Sequence, residues 1–409
     1  MKVDYTKIQK AAWFTPLSRG RWGIVVNWIG NPGQGKTAVL ENLAKTCGFY
    51  CKVLIAGQRE PSDFLGIPYP EKNGELGKRM EFLPPDFVAQ ANHHKNGSVI
   101  YLDELNHASP AVQGACQRVV HEGVVGDVQL EGHVRFIISV NPDDQAATAG
   151  GSSISVALAN RIAHIRWEDL KADDWTEFML NGAGDQETEV IDPKEHEKFV
   201  MSRWKTAFAK AIGLTTTFAK RNSRCFNQVP DVAGDQASGA FPTPRSWEFA
   251  TRAYASATIH DLNFEETLLL LGGLVGQDSA REFMNFVNEN DLQDPIEILN
   301  GDVKIEFDRK RLDRANATIS TMWAVICSEK DEKLKSKYAS NFMFALADVS
   351  KGGGKDLTMI AAERVLKQVT AQTIVLQPNV FRSQHVKDHA MAGLHELVTF
   401  KKQFLNEAA

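Results

Sequence analysis

Over its first 170 residues the chain alternates short apolar runs with longer amphipathic stretches. The runs 24–29, 51–56, 98–104, 133–140 and 162–167 are dominated by Val, Ile, Leu and aromatic residues. An apolar run without strict alternation, such as Ser98-Val99-Ile100-Tyr101-Leu102-Asp103, fits a strand covered on both faces, as in a parallel sheet. Between the runs, 38–45, 86–93, 109–120 and 156–159 read as helices. Ser109 suits a cap and Pro110 a first helical turn. The stretch 122–132 sets Gly123, Gly126 and Gly132 among valines and reads as a β-hairpin. The stretch 57–85, rich in Gly, Pro and charge, reads as loop, as does polar 143–153. A short helix over 5–14 leads in. Strands separated by helices predict an α/β parallel sheet.

Beyond Trp167 the pattern becomes helical. Helices are expected at 175–180 and 196–210, with a polar loop over 222–240. Thr243-Pro244-Arg245 starts another helix, with Thr243 as cap and Pro244 at the first position. Further helices fit 265–271, 279–287, much of 300–350, 356–372 and 383–406, with Gly352-Gly353-Gly354 breaking the chain. In the last of these, Val386, Ala390, Leu394, Leu397 and Phe404 share one face, a stripe suited to a core. The expected organisation is an α/β nucleotide-binding core over 1–170, a helical lid over 171–300 and a mostly helical region over 301–409 that docks a partner.

The first apolar run leads into Gly30-Asn31-Pro32-Gly33-Gln34-Gly35-Lys36-Thr37, which matches the phosphate-loop pattern G-x-x-x-x-G-K-[ST] in its strand–loop–helix context. Glycines let successive N–H groups converge on one concavity, and the helix N-terminus adds positive potential. Asn31, Pro32, Gly33, Gln34, Gly35, Lys36, Thr37 and Ala38 are the expected nucleotide contacts. Lys36 would reach the β- and γ-phosphates of ATP, and the Thr37 hydroxyl would bind Mg²⁺. The run at 98–104 ends in two carboxylates at a strand's C-terminal end, where open α/β sheets bind ligands. Asp103 is placed to hold Mg²⁺ through water, and Glu104 to orient or deprotonate the attacking water. Asn141, ending the 133–140 strand, is placed to meet the γ-phosphate or that water.

Composition restricts the alternatives. With 409 residues, 43% hydrophobic and 24% charged, the chain suits two or three globular domains. A net charge of −5 gives no general pull towards nucleic acid. No apolar run is long enough to span a bilayer, and residues 1–7 lack the apolar core of a signal peptide. The five scattered cysteines suit a reducing compartment, so a cytoplasmic protein without membrane insertion is expected.

The ordered motifs, Walker A at 30–37, Walker B at 99–104 and Asn141, resemble the AAA+ ATPases. Leu102-Asp103-Glu104-Leu105-Asn106-His107-Ala108-Ser109-Pro110 is similar to the L-D-E-I-N-R-A-P-P of the MoxR branch, with His107 in place of Arg. Ser62-Asp63-Phe64-Leu65-Gly66 resembles the branch's S-D-L-L-G. The hairpin at 122–132 resembles the helix-2 insert of that clade, and Phe241-Pro242-Thr243-Pro244-Arg245 its sensor 2 motif. The resemblance spans roughly 20–290. It implies an α/β core with a helical lid, assembled as a ring, usually hexameric, with nucleotide between subunits. It makes Asn141 sensor 1 and Arg161 the finger completing a neighbour's site, although Ala159-Asn160 replaces the usual acidic lead-in. It makes Arg245 sensor 2. It further implies ATP-driven, chaperone-like remodelling of a protein client, commonly a von Willebrand A domain protein. Two other readings are a nucleic-acid motor or loader using Lys205, Lys210, Lys220, Arg221 and Arg224, and a non-hydrolysing scaffold. The acidic balance weakens the first and Glu104 the second.

Overall fold

The computed structural model describes residues 3–74, 77–142, 153–180, 190–230, 239–289 and 292–391. The apolar runs form five parallel strands: β1 (Val26–Ile29), β2 (Tyr50–Ile55), β5 (Ser98–Asp103), β8 (Val134–Val140) and β9 (Ala163–Arg166). Their order across the sheet is β2-β5-β8-β1-β9. Because every pairing is parallel, all five carboxyl ends lie on one edge. The helices α2 (Lys36–Thr46), α4 (Asp86–His93), α5 (Pro110–Glu122) and α6 (Val156–Ala159) lie where expected. Ser109 Oγ accepts from Val112 N at 3.4 Å, and Pro110 occupies the first turn of α5.

The stretch 57–85 departs from its expected loop. It contains α3 (Ser62–Leu65) and an antiparallel hairpin of β3 (Ile67–Gly74) and β4 (Gly77–Leu83). Pro68 and Pro70 disguise β3, since proline is tolerated in a strand that lacks a partner on one side. This hairpin is the element between the helical pieces α3 and α4 that follow β2. The hairpin at 122–132 also forms, as β6 (Val124–Val125) and β7 (Val128–Gln129), but it lies between α5 and β8. The position of an insert in the second helical segment therefore belongs to 67–83, not to 122–132.

Two compact units divide the chain: residues 1–203 with 224–282, and residues 204–223 with 283–409. Their boundaries fall within α8 (Pro193–Arg221), just after it at 223/224, and within α11 (Gln277–Glu289), so the stretch 171–300 contributes to both. In the first unit, α1 (Tyr5–Trp13) is part of the core. Its Gln9 Oε1 accepts from Trp28 Nε1 at 2.7 Å, and Tyr5 stacks on Trp167 at 4.9 Å. The fully buried Arg135 of β8 donates to Trp13 O (3.0 Å), His133 O (2.8 Å) and Glu197 (2.7 Å). The same unit holds α9 (Pro244–Ile259) and α10 (Phe264–Val275). Thr243 caps α9 through a reciprocal pair of bonds with Ser246.

The second unit is helical around its own apolar core. It contains α12 (Pro295–Asn300), α13 (Leu312–Ser328), α14 (Glu332–Lys351), α15 (Lys355–Thr370) and α16 (Pro378–Arg382). Gly213 of α8 meets α13 so closely that a Cβ there would lie 1.7 Å from Thr321 Oγ1. Residues 386–390 form a π-helical turn rather than the start of a long α-helix, and Val386 and Ala390 are buried. Leu394, Leu397 and Phe404 lie outside the described residues.

Candidate active site

The loop after β1 curls because Gly33 and Gly35 both take φ +76°, which suits glycine. Gly30 holds the loop against the sheet. Its N–H donates to Val140 O at 3.2 Å, and a Cβ there would lie 2.9 Å from the Trp167 Cβ. Lys36 is 8% exposed, and its Nζ donates to Gly30 O at 2.6 Å and Asn31 O at 2.8 Å. Burial lowers its pKa, and the carboxylates of Asp103, Glu104 and Asp169 oppose that shift.

The Thr37 hydroxyl donates to Asp103 Oδ2 at 2.8 Å. Asp103 ends β5, and β8 lies between β5 and β1. Ser139 of β8 therefore sits beside Asp103, and its hydroxyl donates to Asp103 Oδ1. The Glu104 N–H donates to the same oxygen at 3.0 Å. Both oxygens of the Asp103 carboxylate are thus oriented. The exposed Glu104 takes left-handed backbone angles (φ 53°, ψ 40°), which cost a non-glycine residue about 1–2 kcal/mol. Such strain is found most often at functional sites. Asn141 follows β8 at the same edge. Its Nδ2 donates to His107 Nε2 at 3.2 Å, and its carbonyl accepts from Asn106 Nδ2 at 2.9 Å. His107 thus orients the Asn141 side chain.

The sequence did not disclose Ser139, or the segment after β9. Asp169 grips Asn31 Nδ2 through both oxygens at 2.9 and 3.0 Å, and Leu170 N donates to Gln34 Oε1 at 2.7 Å. Nothing local to Asp169 signals a partner 138 positions away.

Arg161 and Arg245 come together elsewhere in this unit. Asn160 links their segments, accepting from Thr243 Oγ1 at 2.9 Å and donating to Phe241 O at 3.3 Å. Burial lowers the Arg161 pKa, and the charge of Arg245 adds to it. The two arginines also help depress the pKa of His121, after burial. Arg161 Nη1 donates to Ala157 O, and its buried Nε has no partner among the described residues. Arg245 is exposed at the first turn of α9.

The loop and its surroundings fit a Mg²⁺-bound nucleoside triphosphate. Glycines at positive φ open a cradle, a buried ammonium lies beside it, and a hydroxyl–carboxylate pair supplies hard oxygen donors. Among the described residues no three His, Cys, Asp or Glu side chains gather as a separate metal centre. All five cysteine thiols are free.

Residues 26–162 match the AAA domain of the dynein-related subfamily. The fold is that of an AAA+ P-loop protein: a five-stranded parallel sheet with flanking helices, followed by a mostly helical C-terminal region. The chain is 28% identical over 171 residues to midasin from Giardia intestinalis. That match covers 40% of this chain and 3% of midasin, so the chain spans a small part of that relative's length. A crystal structure from Cytophaga hutchinsonii, described as a candidate ATPase, aligns over 70% of this chain and 89% of its own. It does so at 15% identity with a TM-score of 0.44.

Proposed function

We propose that the chain hydrolyses ATP with Mg²⁺ and works as a ring of copies, of MoxR type and usually hexameric, that remodels a protein partner. The observation behind the reading is the convergence of Lys36, Thr37, Asp103, Ser139, Glu104 and Asn141 on one edge of the sheet. Lys36 and the backbone N–H groups of residues 33–38 would hold the triphosphate, and Thr37 and Asp103 the metal. Held there, Mg²⁺ would supply positive charge to offset the negative charge that develops on the transferred phosphoryl group. Glu104 takes the proton of the attacking water, and Asn141, steadied by His107, positions that water.

Arg161 and Arg245 would serve a neighbouring copy. Among the described residues, no bond or electrostatic partner ties either one to Lys36, Thr37, Asp103 or Glu104. The Glu122 carboxylate partly offsets the repulsion between Arg161 and Arg245, and a phosphate of the next protomer would add a second anion for two adjacent cations to meet. Sensor 2 would then act across the interface together with the finger. The client is a protein, of which a von Willebrand A domain protein is the best candidate by family resemblance. No described helix is long and apolar enough to cross a membrane, and we assign the chain to the cytoplasm from its free thiols.

The test is ATP turnover against protein concentration, with mass photometry alongside. Turnover per chain that rises as rings form supports a shared site. Constant turnover in a persistent monomer contradicts it.

A further inference from the structure

The helical second unit contains a cavity of about 740 Å³, a size suited to a small ligand. Its lining brings five cations together from two distant parts of the chain: Lys220 and Arg221 at the end of α8, and Arg309, Lys310 and Arg311 before α13. One carboxylate, Asp313, shares the wall. It is divided between Arg221 Nη1 (3.3 Å) and Arg311 Nε (3.4 Å). Arg309 is held differently. Its Nε donates to Gly352 O at 2.6 Å, and a Cβ on Gly353 (φ +108°) would lie 2.5 Å from that same nitrogen. The triple glycine at 352–354 is thus a seat for Arg309 as well as a helix break.

Lys220 and Lys310 are exposed, and among the described residues neither ammonium has a bonded partner. Helix α13 begins at this wall with no side-chain cap, so its positive end adds to the field. Thr217, 4% exposed, also lines the cavity, and among the described residues its hydroxyl has no hydrogen-bond partner. An unpaired buried hydroxyl is destabilising, and a ligand oxygen would relieve that cost. Of the five cations weighed as a nucleic-acid channel, two are engaged outside this cavity: Lys205 pairs with Glu329 and Arg224 with Glu282. Lys210 does not line this cavity.

We propose that this cavity binds a polyphosphate anion, at a site separate from the phosphate loop. Charge density favours phosphate over carboxylate. A chain of linked phosphates places several negative charges within one such cavity and meets planar guanidinium forks two oxygens at a time. An acidic peptide spaces its charges about 3.3 Å per residue along an extended backbone, and so needs a long groove. Free polyphosphate and the backbone of a nucleic acid share the recognised chemistry.

The experiment is calorimetric titration of the full chain, saturated with Mg²⁺–ADP, with inorganic tripolyphosphate, and the same titration of Lys36→Ala. One tripolyphosphate site per chain is expected in both, which separates this cavity from the phosphate loop and from any failure of ATP hydrolysis. Lys220→Glu/Lys310→Glu, two exposed side chains whose replacement leaves the core intact, should weaken binding by about tenfold or more. An equal affinity in that variant, the absence of a site, or hexaglutamate binding as tightly as tripolyphosphate overturns the proposal. A twelve-residue oligothymidylate that binds more tightly, and depends on the same lysines, assigns the phosphates to nucleic acid. One that binds more weakly assigns them to a free polyphosphate.

Discussion

The Thr37 hydroxyl donates to Asp103 Oδ2 at 2.8 Å, joining the helix after β1 to the end of β5 across the intervening strand. Both groups are oxygen donors suited to Mg²⁺. On the proposed function, Thr37→Ala should lower ATP turnover by about 100-fold and raise the Mg²⁺ concentration needed for half-activity, because the proposed metal ligand would be lost with its geometry. Turnover measured against Mg²⁺ concentration checks this.

Ser139 orients the other Asp103 oxygen from β8. Partners of this kind typically affect activity by about 10- to 100-fold. Ser139→Ala should therefore reduce turnover about tenfold while ATP affinity, read by equilibrium binding, stays within about twofold.

The ion pair of Arg135 and Glu197 is buried, and Lys194 Nζ reaches the second Glu197 oxygen at 3.0 Å. Glu197→Ala leaves a guanidinium buried without its counter-charge and should cost about 3–5 kcal/mol of stability. The neighbouring Glu195 pairs with Lys198 at the surface. Glu195→Ala should change stability by under about 0.5 kcal/mol. Urea denaturation of both variants distinguishes the two environments.

His164 is buried, and burial depresses its pKa to about 4. Its Nε2–H donates to Ala159 O at 3.0 Å, and its Nδ1 accepts from Asn27 Nδ2 at 3.3 Å, an arrangement only the neutral ring satisfies. The unfolded chain takes up this proton near pH 6.5, so stability is full above that value and falls as pH drops from 6.5 towards 4. Between pH 7 and 5 the loss from this group is on the order of 2 kcal/mol. His164→Asn should flatten the dependence of the urea midpoint on pH within that window.

The phosphate loop and the five core strands were legible because a strand covered on both faces must be apolar, and because cradling phosphate needs glycines at fixed places. The hairpin β3–β4 was hidden by Pro68, Pro70 and its charged residues. Arg135 was hidden because a cation inside an apolar strand makes sense only once Glu197, Trp13 O and the rings of Phe14 and Phe49 surround it. Asp169 and Ser139 act through tertiary approach, which no local pattern encodes. The proximity of Arg161 to Arg245 depends in the same way on tertiary approach, with Asn160 reaching Phe241 and Thr243, 81 and 83 positions later.

The shared-site account is tested most directly by mixing two inactive variants, Glu104→Gln and Arg161→Ala, in equal amounts. A random ring places an intact Glu104 beside an intact neighbouring Arg161 at about one interface in four, so turnover should return to roughly a quarter of the native rate. A mixture as inactive as either variant alone would contradict a site completed by the neighbouring copy.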